Sequence, residues 1–312
     1  MTIDPIPLFF LLGFFARLAR SDLKIPGQLY EALSLFLLLA IGLKGGMELA
    51  KVPLGVIAPK AAITLALGVT IPLVAFPILF FLGRLPRADA ASIAGHYGSV
   101  SAVTFAVALD FLRDRQMAFE AYAPLFLVLL EIPGIMVGIL LARLGGGLGT
   151  IRWGELLHEV FLGKSVVLLV GGLLIGWLAH AKMASLEPFY FVGFKGALTL
   201  FLLEMGLVAA GQISSLKTSG PFLAAFAIVM PLISSLLGIG AAALMELSAG
   251  GALLLATLAA SASYIAAPAA MRIAIPEANP ALSICAALVI TFPFNLLIGI
   301  PLYHYVITVL WK

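Results

Sequence analysis

Two short stretches of this chain bring hydroxyls, glycine and proline together inside otherwise apolar sequence. The first is Gly95-His96-Tyr97-Gly98-Ser99-Val100-Ser101, followed by Thr104. The second is Ser261-Ala262-Ser263-Tyr264, followed by Pro268. Small and polar residues beside glycine or proline let a membrane helix break. A break frees N–H groups at the start of one half-helix and C=O groups at the end of the other. The N–H end attracts an anion and the C=O end a cation. Two such breaks crossing near the middle of a bilayer would make one site. There the hydroxyls of Ser99, Ser101, Thr104, Ser261 and Ser263 could solvate a small oxyanion or line a sodium site. The competing reading is plain helix packing, because small residues and Ser/Thr are ordinary where membrane helices touch.

A few ionisable side chains stand within or beside apolar sequence: Lys44, Glu48, Glu131 and Glu204. Such groups are costly in hydrocarbon and are candidates for ion handling. Lys44 and Glu48 are four apart and can pair on one helix face. Glu131 precedes Pro133 and could hold a cation or a proton, or accept hydrogen bonds from freed backbone; Glu204 divides in the same way. Asn295, near Pro293, can cap freed backbone or bind a cation. Asp110 reads as a surface charge at a span end. His96 and Ser99 stand three apart, which admits an intramembrane hydrolase with a serine nucleophile. No Gly-x-Ser-x-Gly, His-Glu-x-x-His, P-loop or nucleic-acid signature accompanies them. The reading is therefore not an enzyme, and no cofactor is implied. The single cysteine, Cys285, sits in an apolar segment and reads as a packing residue.

The elements that must position these residues are membrane helices. Apolar residues make up 62% of the chain and charged ones 11%, against about a quarter charged in soluble domains. No Asp, Glu, Lys or Arg occurs over 218–245, 247–271 or 278–311. A helix needs about 20 mostly apolar residues to cross a bilayer. The runs do not alternate, which excludes a membrane β-barrel. Ten spans are predicted: 5–20, 28–49, 54–83, 89–109, 118–144, 160–181, 190–213, 219–246, 250–272 and 280–311. Residues 6–19 carry no small-x-small cleavage signal and read as a short first span.

The chain also resembles itself. Residues 41–48 resemble 204–211, Ile132-Pro-Gly-Ile resembles Phe292-Pro-Phe-Asn, and the two polar stretches match in position, each pair about 160 residues apart. This divides the chain into a five-helix repeat over 1–146, a short linker over 147–159 that takes in part of the glycine-rich stretch 145–149, and a second five-helix repeat over 160–312. Five is odd, so the second repeat is inverted, as in secondary transporters. The Lys and Arg residues divide ten to seven between the two sets of loops, leaving out Lys44. That bias puts the linker inside the cell and both termini outside.

Several segments resemble the sodium-dependent bicarbonate transporter family. They are Ile41-Gly-Leu-Lys-Gly-Gly-Met47, Tyr97-Gly-Ser-Val-Ser101, Phe119-Glu-Ala-Tyr122 with Glu131-Ile-Pro133, and Ala260-Ser-Ala-Ser-Tyr-Ile-Ala-Ala-Pro268 followed by Met271-Arg-Ile-Ala-Ile-Pro-Glu-Ala-Asn-Pro280. The resemblance implies an all-α fold of ten helices in two inverted repeats, with core and gate domains and broken crossing helices. It implies sodium-coupled bicarbonate uptake across the plasma (inner) membrane, homotrimers and, in some members, a PII-like regulator. Carried over, the substrate-binding residues are Gly98, Ser99, Ser101, Thr104, Ser261, Ser263 and Tyr264. The residues themselves offer a sodium site at Ser101, Thr104 and Ser263, with Glu131, Asn295 and Glu204 as ion-coupling candidates. The chain departs from better-known members at Tyr264, where they carry Asp, at 266–269, at 102–103 and in its much shorter linker. Uptake of another small anion, or coupling to protons through Glu131 or His96, remains the alternative within the same fold.

Overall fold

The computed structural model describes residues 5–144 and 153–311. The glycine-rich stretch 145–149 lies outside them. The described residues form helices and no strand. In chain order they are α1 (Pro5–Leu18), α2 (Gly27–Leu49), α3 (Leu54–Pro77), α4 (Arg87–Gly98), α5 (Ala102–Asp114), α6 (Pro124–Arg143), α7 (Trp153–Leu162), α8 (Lys164–Ala179), α9 (Phe194–Gly211), α10 (Ser214–Leu244), α11 (Ala249–Ala260) and α12 (Ala266–Ala274). The last, α13, covers Pro280–Leu310 and contains π turns over Cys285–Thr291 and Asn295–Gly299.

Among the described residues, eight helical segments are long and apolar enough to cross a membrane, with α4 and α5 counted together as Arg87–Asp114. Two shorter apolar helices, α1 and α11, accompany them. The outer surface is apolar as well: Leu82, Leu144, Leu178, Val192 and Leu244 are each more than 70% exposed. Water does not tolerate so large an apolar belt, whereas lipid does. The chain is a multi-pass membrane protein.

The broken helices lie at the centre. Ninety-four per cent of the most apolar stretch of Arg87–Asp114 is buried, and every residue of α11 from Gly250 to Ala260 is buried. Helix α4 packs on α3 and α6, and α11 packs on α10. Helices α1 and α2 pack on α9 and α8 respectively, further out.

Some elements differ from the sequence expectation. The span expected over 118–144 becomes helical only at Pro124, the first residue of α6. The residues before it hold another helix instead. Glu120 accepts from the Ser248 amide at 2.6 Å and from the Ser248 hydroxyl at 3.2 Å, at the start of α11. The stretch expected as linker up to residue 159 is helical from Trp153, and α7 ends before Gly163. In α10 the continuous span begins at Gly220, whose φ of 74° suits only glycine and is followed by Pro221.

Candidate functional site

Both polar stretches interrupt their helices. Helix α4 stops at Gly98, and Ser99 (ψ 171°) and Ser101 (ψ 112°) are extended before α5 begins at Ala102. The Ser101 hydroxyl accepts from the Thr104 amide at 3.2 Å and so caps α5. Helix α11 stops at Ala260, Ser261 is extended, and α12 begins at Ala266. There the Ser263 hydroxyl accepts from the Ala267 amide at 3.1 Å. Each break thus has a serine serving the first free amides of the half-helix that follows.

The two breaks are bonded to each other. The Ser101 amide donates to the Ser261 hydroxyl at 2.9 Å. The Ser263 amide donates to the His96 carbonyl at 2.8 Å. The Ser101 hydroxyl donates to the Tyr264 hydroxyl at 3.3 Å. The carbonyl end of α11 is held separately: the Asn295 amide nitrogen donates to the Ala260 carbonyl at 2.8 Å, and Tyr303 donates to the Asn295 Oδ1 at 2.8 Å. A cavity of about 10 Å³ remains beside the crossing, room for roughly one water. Leu38, Val100, Ser101, Ala102, Glu131, Ser165, Ser263, Tyr264 and Ile265 line it. Ala102 and Ile265 bring the starts of α5 and α12 to its wall, so the positive ends of two helix dipoles meet there.

Two larger cavities bear on this one's surroundings, and the first adjoins it. A cavity of about 120 Å³ shares Glu131, Ser165 and Ile265 with it and continues to Glu159 and Lys164. Another, about 230 Å³, lies along α2 and α5 and includes Lys44, Glu48, Arg113, Phe191 and Phe194. Lys44 and Glu48 pair in its wall at 3.4 Å, as their spacing predicts.

Of the expected site residues, Ser101, Ser263 and Tyr264 reach the central cavity, and Ser261 supports it from behind. Ser99 is fully buried, does not line the cavity, and its hydroxyl has no hydrogen-bond partner. Thr104 is buried and likewise stays outside the wall. Gly98 is a contact residue, because a Cβ there would stand 2.7 Å from the Cα of Gly134 in α6. Of the ion-coupling candidates, Glu131 lines the central cavity. Asn295 spends both polar ends on Ala260 and Tyr303. Glu204 lines a separate cavity of about 390 Å³ with Arg17, Lys24 and Gln212. Asp110, expected at the surface, is 4% exposed and paired with Lys195 at 3.0 Å. Its place near the end of α5 hides it against α9.

The His96 Nδ1 is bonded to the Ser92 carbonyl at 2.8 Å, while its Nε2 and the Ser99 hydroxyl both lack partners. His96 and Ser99 therefore do not pair with each other. No group of three or more His, Cys, Asp or Glu residues that could hold a metal occurs among the described residues. Sequence reasoning missed Ser165 and the His96 carbonyl. Ser165 carried a weak signal, a hydroxyl in the first turn of α8 just after Gly163. A main-chain carbonyl carries none.

A model of the Na+-dependent bicarbonate transporter superfamily matches residues 5–308, nearly the whole chain. No curated protein matches it.

Proposed function

Because the chain belongs to the Na+-dependent bicarbonate transporter superfamily, we propose that it is a secondary transporter that carries bicarbonate inward, driven by sodium. One observation supports this reading above the others. Two half-helix starts and four hydroxyl side chains meet at one buried cavity with no basic side chain in its wall. A charge at mid-membrane costs about 2.5–3.5 kcal/mol on insertion scales. One helix start returns up to about 2 kcal/mol in a buried setting. A single start therefore falls short, whereas two together offset the cost, and a companion cation lowers it further.

The mechanism in this reading is alternating access, and the cavities are compatible with it. The central one is too small for bicarbonate, so this conformation is closed on itself. In this reading the cavity lined by Glu159 and Lys164, which shares Glu131, Ser165 and Ile265 with the central one, is one approach, and the cavity lined by Lys44 and Arg113 serves the other side. Helix pairing supports two inverted five-helix repeats and ten membrane crossings. Exchanging α1 with α8 and α2 with α9 turns the α1–α9 contact into the α8–α2 contact. Extending the exchange turns α3–α4 into α10–α11 and α3–α6 into α10–α13. In this reading α3–α6 and α10–α13 form the core, and α1, α2, α8 and α9 form the gate. The excess of Lys and Arg on the linker side favours both termini outside the cell membrane. Homotrimers are expected from the family, and cross-linking of the protein in native membranes tests that.

The function is tested by uptake of labelled bicarbonate into proteoliposomes. Uptake several-fold faster with an inward sodium gradient than with an equal potassium gradient is expected. Equal uptake under both gradients removes sodium coupling. A pH gradient that replaces the sodium gradient would establish proton coupling, and no bicarbonate uptake under any gradient would reject this substrate.

A further inference from the structure

We infer that the cavity between α2, α5 and the start of α9 binds a small organic acid, a carboxylate carried on an apolar body. Among the described residues it shares no lining residue with the cavity at the crossing. Two cations and two aromatic rings distinguish it. The Lys44 ammonium, on α2, stands 5.2 Å from the centroid of the Phe191 ring. The Arg113 guanidinium, on α5, stands 5.9 Å from the centroid of the Phe194 ring. All four residues line the cavity. A ring face steadies a cation without neutralising it. The charges in the wall do not cancel. Among the described residues, Glu48 is the one acid there. It binds Lys51 at 2.8 Å, closer than its 3.4 Å contact with Lys44. Asp110 and Asp114, on the same helix as Arg113, are both paired with Lys195 at 3.0 Å. Among the described residues Arg113 has no hydrogen bond or ion pair, only its ring contact. Its forked N–H donors are therefore unspent, and that fork matches a carboxylate with two parallel hydrogen bonds.

The rest of the wall selects the body. It is apolar, made by Ala40, Ile41, Leu109, Phe119, Ala121 and Pro124. At about 230 Å³ the cavity falls below the roughly 300–1,000 Å³ of most ligand sites, which limits the occupant to one ring or a short chain. Bicarbonate has no apolar surface to bury, so these walls give it little hold. Charge attracts both kinds of anion, and apolar burial retains the organic one. Occupation has a consequence that rests on the transport reading above, whereas binding itself does not. In that reading α2 and α9 belong to the gate and α5 to the core, so the occupant touches both. A ligand that spans two bodies favours the conformation in which both halves of its site are together. The organic acid would thus hold the present closed conformation and slow transport.

The test measures binding first, without transport. Purified protein is titrated with radiolabelled benzoate in bicarbonate-free buffer, and its thermal midpoint is followed. Wild type should bind benzoate saturably and melt higher in its presence, and cyclohexanecarboxylate should displace the label. Formate has the charge without the body, and benzyl alcohol has the body without the charge; neither should displace it at equal concentration. Arg113→Gln should weaken benzoate by about tenfold or more. Lys44→Gln should weaken it less, because that ammonium already has Glu48 beside it. Ala121→Leu fills the apolar part of the cavity and should weaken benzoate as well. Absence of saturable binding in wild type overturns the inference. So does unchanged affinity in Arg113→Gln, or displacement by formate or benzyl alcohol as effective as by cyclohexanecarboxylate. If Arg113→Gln does not fold, unchanged affinity in Ala121→Leu overturns it instead. In proteoliposomes, benzoate should slow bicarbonate uptake by wild type and much less by Ala121→Leu; equal slowing of both would remove the hold on transport. Benzoate binding that depends on Arg113, in a protein that carries no bicarbonate, would reject the proposed substrate and leave this site standing.

Discussion

The first break spans Ser99–Ser101 and is buried throughout; the second spans Ser261–Ile265 and ends in half-buried residues. Their compositions are similar, yet their groups are spent differently. In the first, the Ser101 amide is bound to Ser261 and its hydroxyl serves both Thr104 and Tyr264. It works as a brace. The second sends Ser263, Tyr264 and Ile265 into the cavity and has its upstream carbonyl secured by Asn295. Both breaks line the cavity, the first through Val100 and Ser101, but the first spends its serine on bonds that hold the crossing together. Substitutions near the first break should act on stability, and those in the second should act more on binding.

The largest effect is expected where the brace meets α6. A Cβ at Gly134 would stand 1.9 Å from the Gly98 carbonyl carbon. Gly134→Ala should cost about 3 kcal/mol or more, seen as a collapse of yield and thermal midpoint. Gly171→Ala, where nothing lies within 4 Å, should stay within about 0.5 kcal/mol of wild type. Equal midpoints for the two variants would break the idea of a rigid first break. Asn295→Ala comes next. It leaves the Ala260 carbonyl and the Tyr303 hydroxyl unpaired, at about 1–3 kcal/mol each, and should lower the midpoint of unfolding clearly. Ser263→Ala is smaller. It removes the hydrogen bond to the Ala267 amide, worth about 1 kcal/mol, and it should lower bicarbonate uptake severalfold beyond the loss of folded protein. Ser99→Ala is the smallest in stability, because that hydroxyl has no partner to lose. Its stability should change by no more than about 0.5 kcal/mol, and its uptake should stay close to wild type, because Ser99 does not line the cavity. Unchanged uptake in Ser263→Ala would place the anion elsewhere.

Much of this was legible in the residues themselves. Glycine, serine and proline inside uncharged runs marked both breaks, because those residue types permit extended backbone where neighbours must satisfy it. The uncharged runs over 218–245 and 278–311 marked their spans. Residues 118–123 escaped, because Phe119, Ala121 and Tyr122 are apolar enough to read as helix. Only the folded chain shows Glu120 reaching across to Ser248. The separate helix α7 escaped because its three ionisable residues, Glu155, His158 and Glu159, read as linker. Within the site, hydroxyls were legible by type, but their roles were not. Ser99 and Ser101 are two apart in one extended stretch, and neighbours from another helix decide which of them reaches the cavity. The link between Ser263 and His96 runs through a main-chain carbonyl, which every residue carries.

The central claim is that a small anion rests where the two breaks cross. An experimental density map of the protein with saturating bicarbonate and sodium tests it most directly. The account predicts density for an anion against the starts of α5 and α12, within reach of Ser101 and Ser263, in a cavity grown well beyond the present 10 Å³. A crossing that stays closed, with the anion bound instead among Lys44, Arg113 and Phe191, would contradict it.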